Sequence, residues 1–508
     1  MTQRRTALLG ALPLLYGASD EEEVFDEQWD VVVIGSGVAG LSAAVEARKS
    51  GASVLILEKM GSIGGNSVLS DGQVAVPGTA MQEYLGIKDS PELFAKDLRR
   101  LGRINHPWRV ETLARNARDA FEWTQTEFGV RWLKDRVEYD FDQSLSRCAL
   151  LEGGSSMALV YPMADRAKNL GVELRVHHRV IRLIQEPGSK TNRRVIGVRV
   201  KITDGAHAGK EVKIKARFGV VVCSGGFGAD IAMRQMQNWR LSELVGTTTQ
   251  PGSTSEMIRE CARVGAWLVH MEYIHCTPES CPEEKGWGTA WRFSRYCAAY
   301  RGIWIVQETG KRFVNELASN DVRTNAVLDE VNKGHHCLAI ADARAVRHPR
   351  SVIFTEEDVS RLIARGLVHR YDSLEQLAHA LQTPLASLKA TIYQLNSDIH
   401  NNREKDIFGR TLSEDNEIMG EAPWYACRIL PKVLTCGGGV AINEYAQVLS
   451  VVDDQPIDGL FAAGEATGGL HGIARLTSCG LIDALVFGRI AGKKIADSFR
   501  GERAGKGV

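Results

Sequence analysis

Three things are missing from this 508-residue chain. There is no excess of charge: 62 Lys and Arg balance 62 Asp and Glu. Nothing therefore points to nucleic acid or an anionic membrane surface as partner. There is no C-x-x-C pair and no C-x-x-C-H, although ten cysteines are scattered from Cys148 to Cys479. That argues against a zinc ribbon, a 4Fe-4S segment or a c-type haem on this chain, and no metal site is expected. No apolar run is long enough to span a bilayer. What is present, 44% hydrophobic and 24% charged residues, is enough to bury a large core, in two domains.

The first residues read Thr2-Gln-Arg4-Arg5-Thr-Ala-Leu-Leu, then an apolar stretch to Tyr16 and the acidic run from Asp20. Paired arginines, a short apolar core and small residues resemble a twin-arginine export signal. The expected location is extracytoplasmic (periplasmic), with a cytoplasmic protein carrying a short N-terminal arm as the alternative.

The most ordered stretch begins at Asp30. Four apolar residues form a strand, Gly35-Ser-Gly37-Val-Ala39-Gly40 makes a turn, an Ala- and Leu-rich helix runs to Lys49, and a second strand ends at Glu58. Gly35 allows the tight turn, Gly37 lets backbone approach a pyrophosphate, and Gly40 lets helix pack on strand. The helix start adds free N–H groups and positive partial charge. Glu58 follows at the spacing of an acid that accepts from ribose hydroxyls. The layout predicts a bound dinucleotide and leaves FAD or NAD open.

A second glycine loop follows, Gly64-Gly65-Asn66-Ser67 with Gly72, unsuited to regular helix or strand. Helices are expected over 90–135. Alternating strands at 172–176, 180–184, 195–200 and 211–216 predict an antiparallel meander, and a buried strand then enters Gly225-Gly226. Residues 271–435 hold many of the aromatics and helical runs at 356–366, 373–381 and 384–401. Near the end stand Gly464-Glu465-Ala-Thr-Gly-Gly-Leu-His471 and Arg475-Leu476, before a helix with Gly480, Ala484, Gly488 and Gly492 at i,i+4 spacing.

Glu58-Lys-x-x-x-x-Gly-Gly-Asn-Ser, Gly310-Lys-Arg-Phe-Val-Asn-Glu316 and the Glu465–Leu476 run together resemble the FAD-dependent fumarate reductase and succinate dehydrogenase flavoprotein superfamily, over about 29–500. The resemblance implies an α/β fold: a Rossmann-type FAD-binding domain with a β-meander (29–270 and 436–500) and an inserted α+β capping domain (271–435). Residues 1–28 are then a signal-like segment and linker, and 501–508 a tail. It implies FAD as cofactor, held by Gly35, Gly37, Ala39, Gly40 and Glu58, with backbone at Val180 beside adenine. Gly65, Asn66, Ser67 and Gly72 would lie along the isoalloxazine, Glu465 at the ribityl or diphosphate, and Gly480 and Leu481 at flavin N1 and O2.

On the substrate side the residues depart from the family pattern. Arg475 keeps one carboxylate-binding arginine. Asn320 falls where the proton-delivering arginine belongs, and Thr277 and Thr435 fall at the two substrate histidines. Asparagine is no general acid, so Tyr296, Tyr300, Arg301 and Arg475 are the candidates to supply the proton. Each tyrosine equally reads as a buried aromatic with a satisfied hydroxyl. Arg323, one turn beyond Asn320, is a further candidate. Cys436 and Cys479 read as packing, and His335-His336-Cys337 as a surface turn.

The expectation is an enzyme, an FAD-dependent oxidoreductase that reduces an activated C=C bond of an α,β-unsaturated acid or carbonyl compound other than fumarate. Hydride would come from flavin N5. Electrons would come from a separate donor (cytochrome, flavin or quinone-linked). The alternative is a desaturase of the 3-ketosteroid Δ1-dehydrogenase type, running the chemistry backwards.

Overall fold

A computed structural model describes residues 23–140, 142–187, 194–412 and 418–505. Arg4, Arg5 and the apolar stretch behind them lie outside the described residues.

The strand Glu27–Ile34 runs through the middle of an eight-stranded sheet, parallel to Val54–Leu57 on one side and to Glu211–Val222 on the other. Val31, Val32 and Val33 are fully buried, as a continuous apolar run requires when both faces of a parallel sheet are covered. Pro456–Ala462 continues the sheet in parallel beside Glu211–Val222, bringing the C-terminal part of the chain back into the same sheet, one strand away from the first. His178–Gln185, Val195–Ile202 and Glu211–Val222 form the antiparallel meander.

The stretch 172–176 is corrected. Glu173–Arg175 does not join the meander but pairs in parallel with Val54–Leu57 at the sheet edge. The helix Met157–Asn169 precedes it, so the chain returns as a crossover, and a crossover connection delivers a parallel strand.

A second, five-stranded antiparallel sheet is built within 303–429, in the order Lys311–Arg312, Ile303–Val306, Cys337–Ala341, Trp424–Ile429, His369–Tyr371. The helices Glu356–Ala364, Leu374–Ala380 and Leu385–His400 accompany it, close to the spans expected from periodicity. Glu316, fully buried, ties this region together. It accepts from Trp304 N–H at 3.0 Å, Arg312 Nε at 2.7 Å and Arg410 Nη1 at 3.4 Å. The signature that ends at Glu316 is thus a structural ion-pair hub, whose loss would take a buried carboxylate from two guanidiniums and leave Arg312 to Asp406 and Arg410 to the Tyr300 and Gly302 carbonyls.

Two further helices lead toward the cleft. Pro91–Gly102 is capped by Ser90, whose side chain accepts from Leu93 N–H. Pro107–Phe128 carries the buried Arg109. The long helix Gly480–Gly505 lies directly on Val38–Arg48. A Cβ at Gly488 would stand 2.5 Å from the Ala39 carbonyl oxygen, so the small ridge read from the sequence lets the two backbones touch. No helix among the described residues is long and apolar enough to cross a membrane.

Candidate active site

One continuous cleft opens along the C-terminal ends of the parallel strands, where ligands bind in such sheets. Its near end is built by the first glycine turn. Gly35 has φ +103°, and a Cβ there would sit 2.4 Å from the Cys223 carbonyl oxygen. The helix Val38–Arg48 then starts at Gly37 with no side-chain cap, presenting first-turn N–H groups and the positive dipole end to the cleft. Glu58 Oε2 accepts from Ser36 N–H at 3.1 Å and Ser36 Oγ at 2.7 Å, which fixes the turn to the end of the second strand. Gly40 lies beneath this turn rather than on the cleft wall.

Along the middle, Ser67 Oγ accepts from Val38 N–H at 3.1 Å. Asn66 Oδ1 accepts from Gln250 N–H at 2.8 Å and Ser253 Oγ at 2.9 Å, while its Nδ2 is 3.4 Å from Glu465 Oε2. Glu465 Oε1 accepts from Cys436 N–H at 2.9 Å. Arg109 supports the 464–469 turn from behind, donating to Thr467 Oγ1 at 2.9 Å and lying 3.7 Å from Asp483. Gly35, Gly37, Ala39, Glu58, Gly65, Asn66, Ser67, Val180, Glu465, Gly480 and Leu481 all line this one cleft. Gly72 does not, although its neighbours Asp71 and Gln73 do.

At the far end Asp140, Thr277, Glu279, Arg295, Tyr296, Asn320, Thr435 and Arg475 come together. Three chain segments are locked there. Asp142 Oδ2 accepts from Thr477 N–H at 3.0 Å and Oγ1 at 2.7 Å, fixing the Asp140 loop to the Arg475 segment. Behind that loop Arg147, fully buried, donates to Asp89 at 2.9 Å and to Asp97 at 2.8 Å. Arg295 comes from a π-helical segment, Phe293–Ala299. It pairs with Asp140 and lies 3.7 Å from Glu279. Arg475 has no ion-pair or hydrogen-bond partner among the described residues and faces the cleft.

Burial pushes the carboxyl of Asp140 up to about 7, helped by Asp142, Asp71 and Glu279 and opposed by Arg295. Burial, reinforced by Asp140, also raises Glu138 to about 7. His275 is pushed down to about 3 by burial and the neighbouring His471, so it stays neutral, and its Nε2–H donates to Gly472 O, 3.1 Å away. Burial raises the Tyr296 hydroxyl well above its ordinary value.

Of the remaining sequence candidates, Tyr300 and Arg301 fall outside the cleft lining. Their segment is held by Arg410, which donates to Tyr300 O at 2.6 Å and Gly302 O at 2.8 Å. Arg323 does not reach the cleft either. It is fully buried, 3.3 Å from Glu279, donates to Asn320 Oδ1 and stacks on Trp304. Cys436 and Cys479 are buried, like the other eight cysteines, and none is in a disulfide. His335 and His336 bond separate glutamates, Glu330 at 2.8 Å and Glu308 at 2.7 Å. Reading the sequence missed Asp140, Glu279 and Arg295; only Arg295 carried a local signal, charge among aromatics (Trp291-Arg-Phe-Ser-Arg295-Tyr).

The cleft fits an elongated dinucleotide with a flat ring. It has a helix start whose N-cap residue, Gly37, brings no capping side chain, open space beside Gly225, and a buried Ser224 Oγ with no hydrogen-bond partner among the described residues. Fold and cleft together define an FAD-dependent oxidoreductase. The family described as FAD binding domain matches residues 30–481. The acrylate reductase flavoprotein subunit of Shewanella woodyi is 33% identical over 92% of this chain and 91% of its own. The urocanate reductase of Eggerthella lenta is 31% identical over 92% and 74%. An open-conformation flavocytochrome c3 fumarate reductase superposes with a TM-score of 0.76 at 28% identity, over 93% and 78%. The chain belongs to the FAD-dependent fumarate reductase and succinate dehydrogenase flavoprotein superfamily, and acts on C=C bonds with FAD as cofactor.

Proposed function

We propose that this enzyme reduces the C=C bond of an α,β-unsaturated acid carrying a single carboxylate, and that fumarate is not its substrate. The observation that carries this reading is Arg475, a cleft-facing cation without a protein partner, among neutral Thr277, Thr435 and Asn320. A guanidinium left unpaired in such a cleft is made for an anion, and its planar fork suits a carboxylate. The second cleft arginine, Arg295, is already held by Asp140 and Glu279, so one carboxylate is accommodated and two are not. The name of the Shewanella woodyi relative, an acrylate reductase, agrees with a monocarboxylate.

In the mechanism, FAD once reduced supplies hydride to the carbon β to the carboxylate. Arg475 binds that carboxylate and draws toward itself the negative charge that develops on the α-carbon side, the electrostatic role that lowers such barriers most. Thr277 and Thr435 offer hydroxyls that donate or accept without adding charge. Asn66 and Glu465 hold the wall where the flavin ring would lie, and the start of the Gly480–Gly505 helix would turn its positive end toward the bound flavin. The α-carbon then takes a proton.

Electrons would arrive from a separate donor, a cytochrome, a flavin or a quinone-linked protein. The twin-arginine-like segment supports export, and residues 271–435 would cap the flavin. The desaturase reading draws on the shared fold with a 3-ketosteroid Δ1-dehydrogenase, TM-score 0.75 at 22% identity. It leaves Arg475 without a task on a ketone substrate. The test is oxidation of reduced viologen by flavin-loaded protein against a panel of unsaturated mono- and dicarboxylic acids. Turnover with monocarboxylates and little with fumarate is expected. Flavin bleaching by saturated ketones alone would sink the reading.

A further inference from the structure

Adding hydride to one carbon of a C=C bond leaves its neighbour in need of a proton, and the far end of the cleft holds few groups that can give one. Asn320, Thr277 and Thr435 are not acids at working pH. Arg475 is engaged by the carboxylate in the reading above. Tyr296 is buried to 3% exposure, so losing its proton would leave a desolvated phenolate. Arg295 is different, because it faces the cleft while an acid stands directly behind it.

We propose that Arg295 delivers the proton to the α-carbon and that Asp140 recharges it; this rests on the enoate-reductase reading. Arg295 Nη2 is bonded to Asp140 Oδ1, and Nη1 lies 3.7 Å from Glu279. Both Arg295 and Asp140 line the cleft, at 7% and 3% exposure. The π-helical segment that carries Arg295 is a costly local geometry that recurs where a side chain must be re-aimed at a functional site. Glu279 is braced from the other side by Arg323 at 3.3 Å, so it positions the guanidinium, and Arg323 in turn holds Asn320.

The step balances. The β-carbon would receive two electrons and one hydrogen, as the hydride that bound reduced flavin would supply. One N–H bond of Arg295 breaks as the α-carbon's C–H bond forms. Simultaneously the Asp140 O–H bond breaks and its proton passes to the guanidine. The saturated acid leaves, and the residue pair is left as an Arg295 cation beside an Asp140 carboxylate. No neutral arginine accumulates, so the high basicity of a guanidinium is not an obstacle. Asp140 is then reprotonated from solvent on the Glu138 side. The charged and titratable groups around Asp140 include Arg295 and Tyr296 from the π-helical segment with Tyr300 just after it, Asp71 from the second glycine loop, Glu279 beyond the strand Ile274–Thr277, Cys148 on the neighbouring strand, and Glu138, Tyr139 and Asp142 on its own segment.

Flavin-loaded Arg295→Gln, Arg295→Lys and Asp140→Asn variants test this. Arg295→Gln should lower kcat by about 10²- to 10⁴-fold, the worth of a positioned acid, with KM nearly unchanged. Arg295→Lys, which still carries protons, should recover part of the loss. Asp140→Asn should abolish the alkaline limb of the wild-type pH profile near 7. Without any turnover, infrared spectra of the oxidised holoenzyme should show carbonyl stretches of un-ionised carboxylic acids that titrate near neutrality, one component of which, beside that of Glu138, is lost in Asp140→Asn. That measurement stands even if an arginine variant fails to fold. A wild type lacking that component overturns the proposal. So does Arg295→Gln with unchanged kcat, or with a raised KM alone, which would make Arg295 a substrate anchor. A wild type inert with every unsaturated acid sinks the enoate reading and this proposal with it, whereas an active wild type matched by Arg295→Gln overturns the proton path alone.

Discussion

Asn66 and Glu465, 399 residues apart in sequence, face each other across the cleft with Nδ2 and Oε2 separated by 3.4 Å. Their other atoms are equally committed: Asn66 Oδ1 to Gln250 and Ser253, Glu465 Oε1 to the Cys436 N–H. Two glycine-rich loops and the 248–254 turn thus share one polar seam. Glu465→Ala leaves a backbone N–H and a side-chain amide without acceptors, at about 1–3 kcal/mol each. The expected outcome is protein that purifies with less FAD, read from the flavin-to-protein absorbance ratio, and melts at lower temperature. Full flavin occupancy in this variant would mean the seam is not part of the cofactor site.

Arg475 predicts a different signature. Arg475→Ala should raise KM for an unsaturated monocarboxylate and reduce kcat/KM by about 10- to 100-fold, the range of a charge-assisted hydrogen bond. Flavin content should not change, because no cleft residue depends on Arg475 for a hydrogen bond. The amide of the same acid, which has no charge to lose, should be nearly as good a substrate for the variant as for the parent. Steady-state kinetics on the acid–amide pair decide it.

The near end of the cleft was legible in the sequence because its parts are local. Gly35, Gly37 and Glu58 belong to one strand-turn-helix-strand unit, and the spacing of glycines at a helix start carries its own physics. The Gly480 ridge was legible for the same reason. The substrate half was read only as a loss, Asn320, Thr277 and Thr435 standing where charged groups were expected. What replaces them could not be read, because Asp140, Glu279 and Arg295 are far apart in sequence and meet only through the folded loops. Tyr300 and Arg301 were drawn in by sequence proximity to the same segment, yet Arg410 holds their backbone away from the cleft lining. The short strand Glu173–Arg175 was misassigned because alternation tells strand from helix but not parallel from antiparallel pairing.

Gly488 offers a test of the packing that sets the cleft's floor. A Cβ there would lie 2.5 Å from the Ala39 carbonyl oxygen and 2.9 Å from Ser42 Cβ. Neither neighbour can retreat, since both sit in the helix Val38–Arg48 against the central strand. Gly488→Leu should therefore push the Gly480 helix away from the first glycine turn, costing about 1–3 kcal/mol or more as overpacking does. The measurable result is a lower melting temperature together with weakened FAD retention. A variant that melts like the parent would show that the two helices are not in contact there.

The buried titratable groups give stability a pH dependence of calculable sign. Glu138 and Asp140 have carboxyls raised to about 7 in the folded protein, against about 4 when unfolded. Between those values the folded state holds more protons, so their contribution is fully present below about 4 and is lost as pH rises through 7. His275 acts at the other end. It is depressed to about 3 when folded, against about 6.5 unfolded, so the unfolded state binds the extra proton and stability falls as pH drops below about 6.5. His106, His270 and His471 are lowered by burial in the same direction, so histidines and carboxyls oppose one another between about 4 and 6.5, and above that range the histidine contribution fades while that of the carboxyls remains. Melting temperature should accordingly decline from pH 6.5 to 8.5 in the parent protein. In the Glu138→Gln, Asp140→Asn double variant that decline should flatten, because neither amide titrates. Differential scanning calorimetry across that range measures the difference, and parallel curves for parent and variant would show that the two carboxyls are ionised in the folded protein at neutral pH.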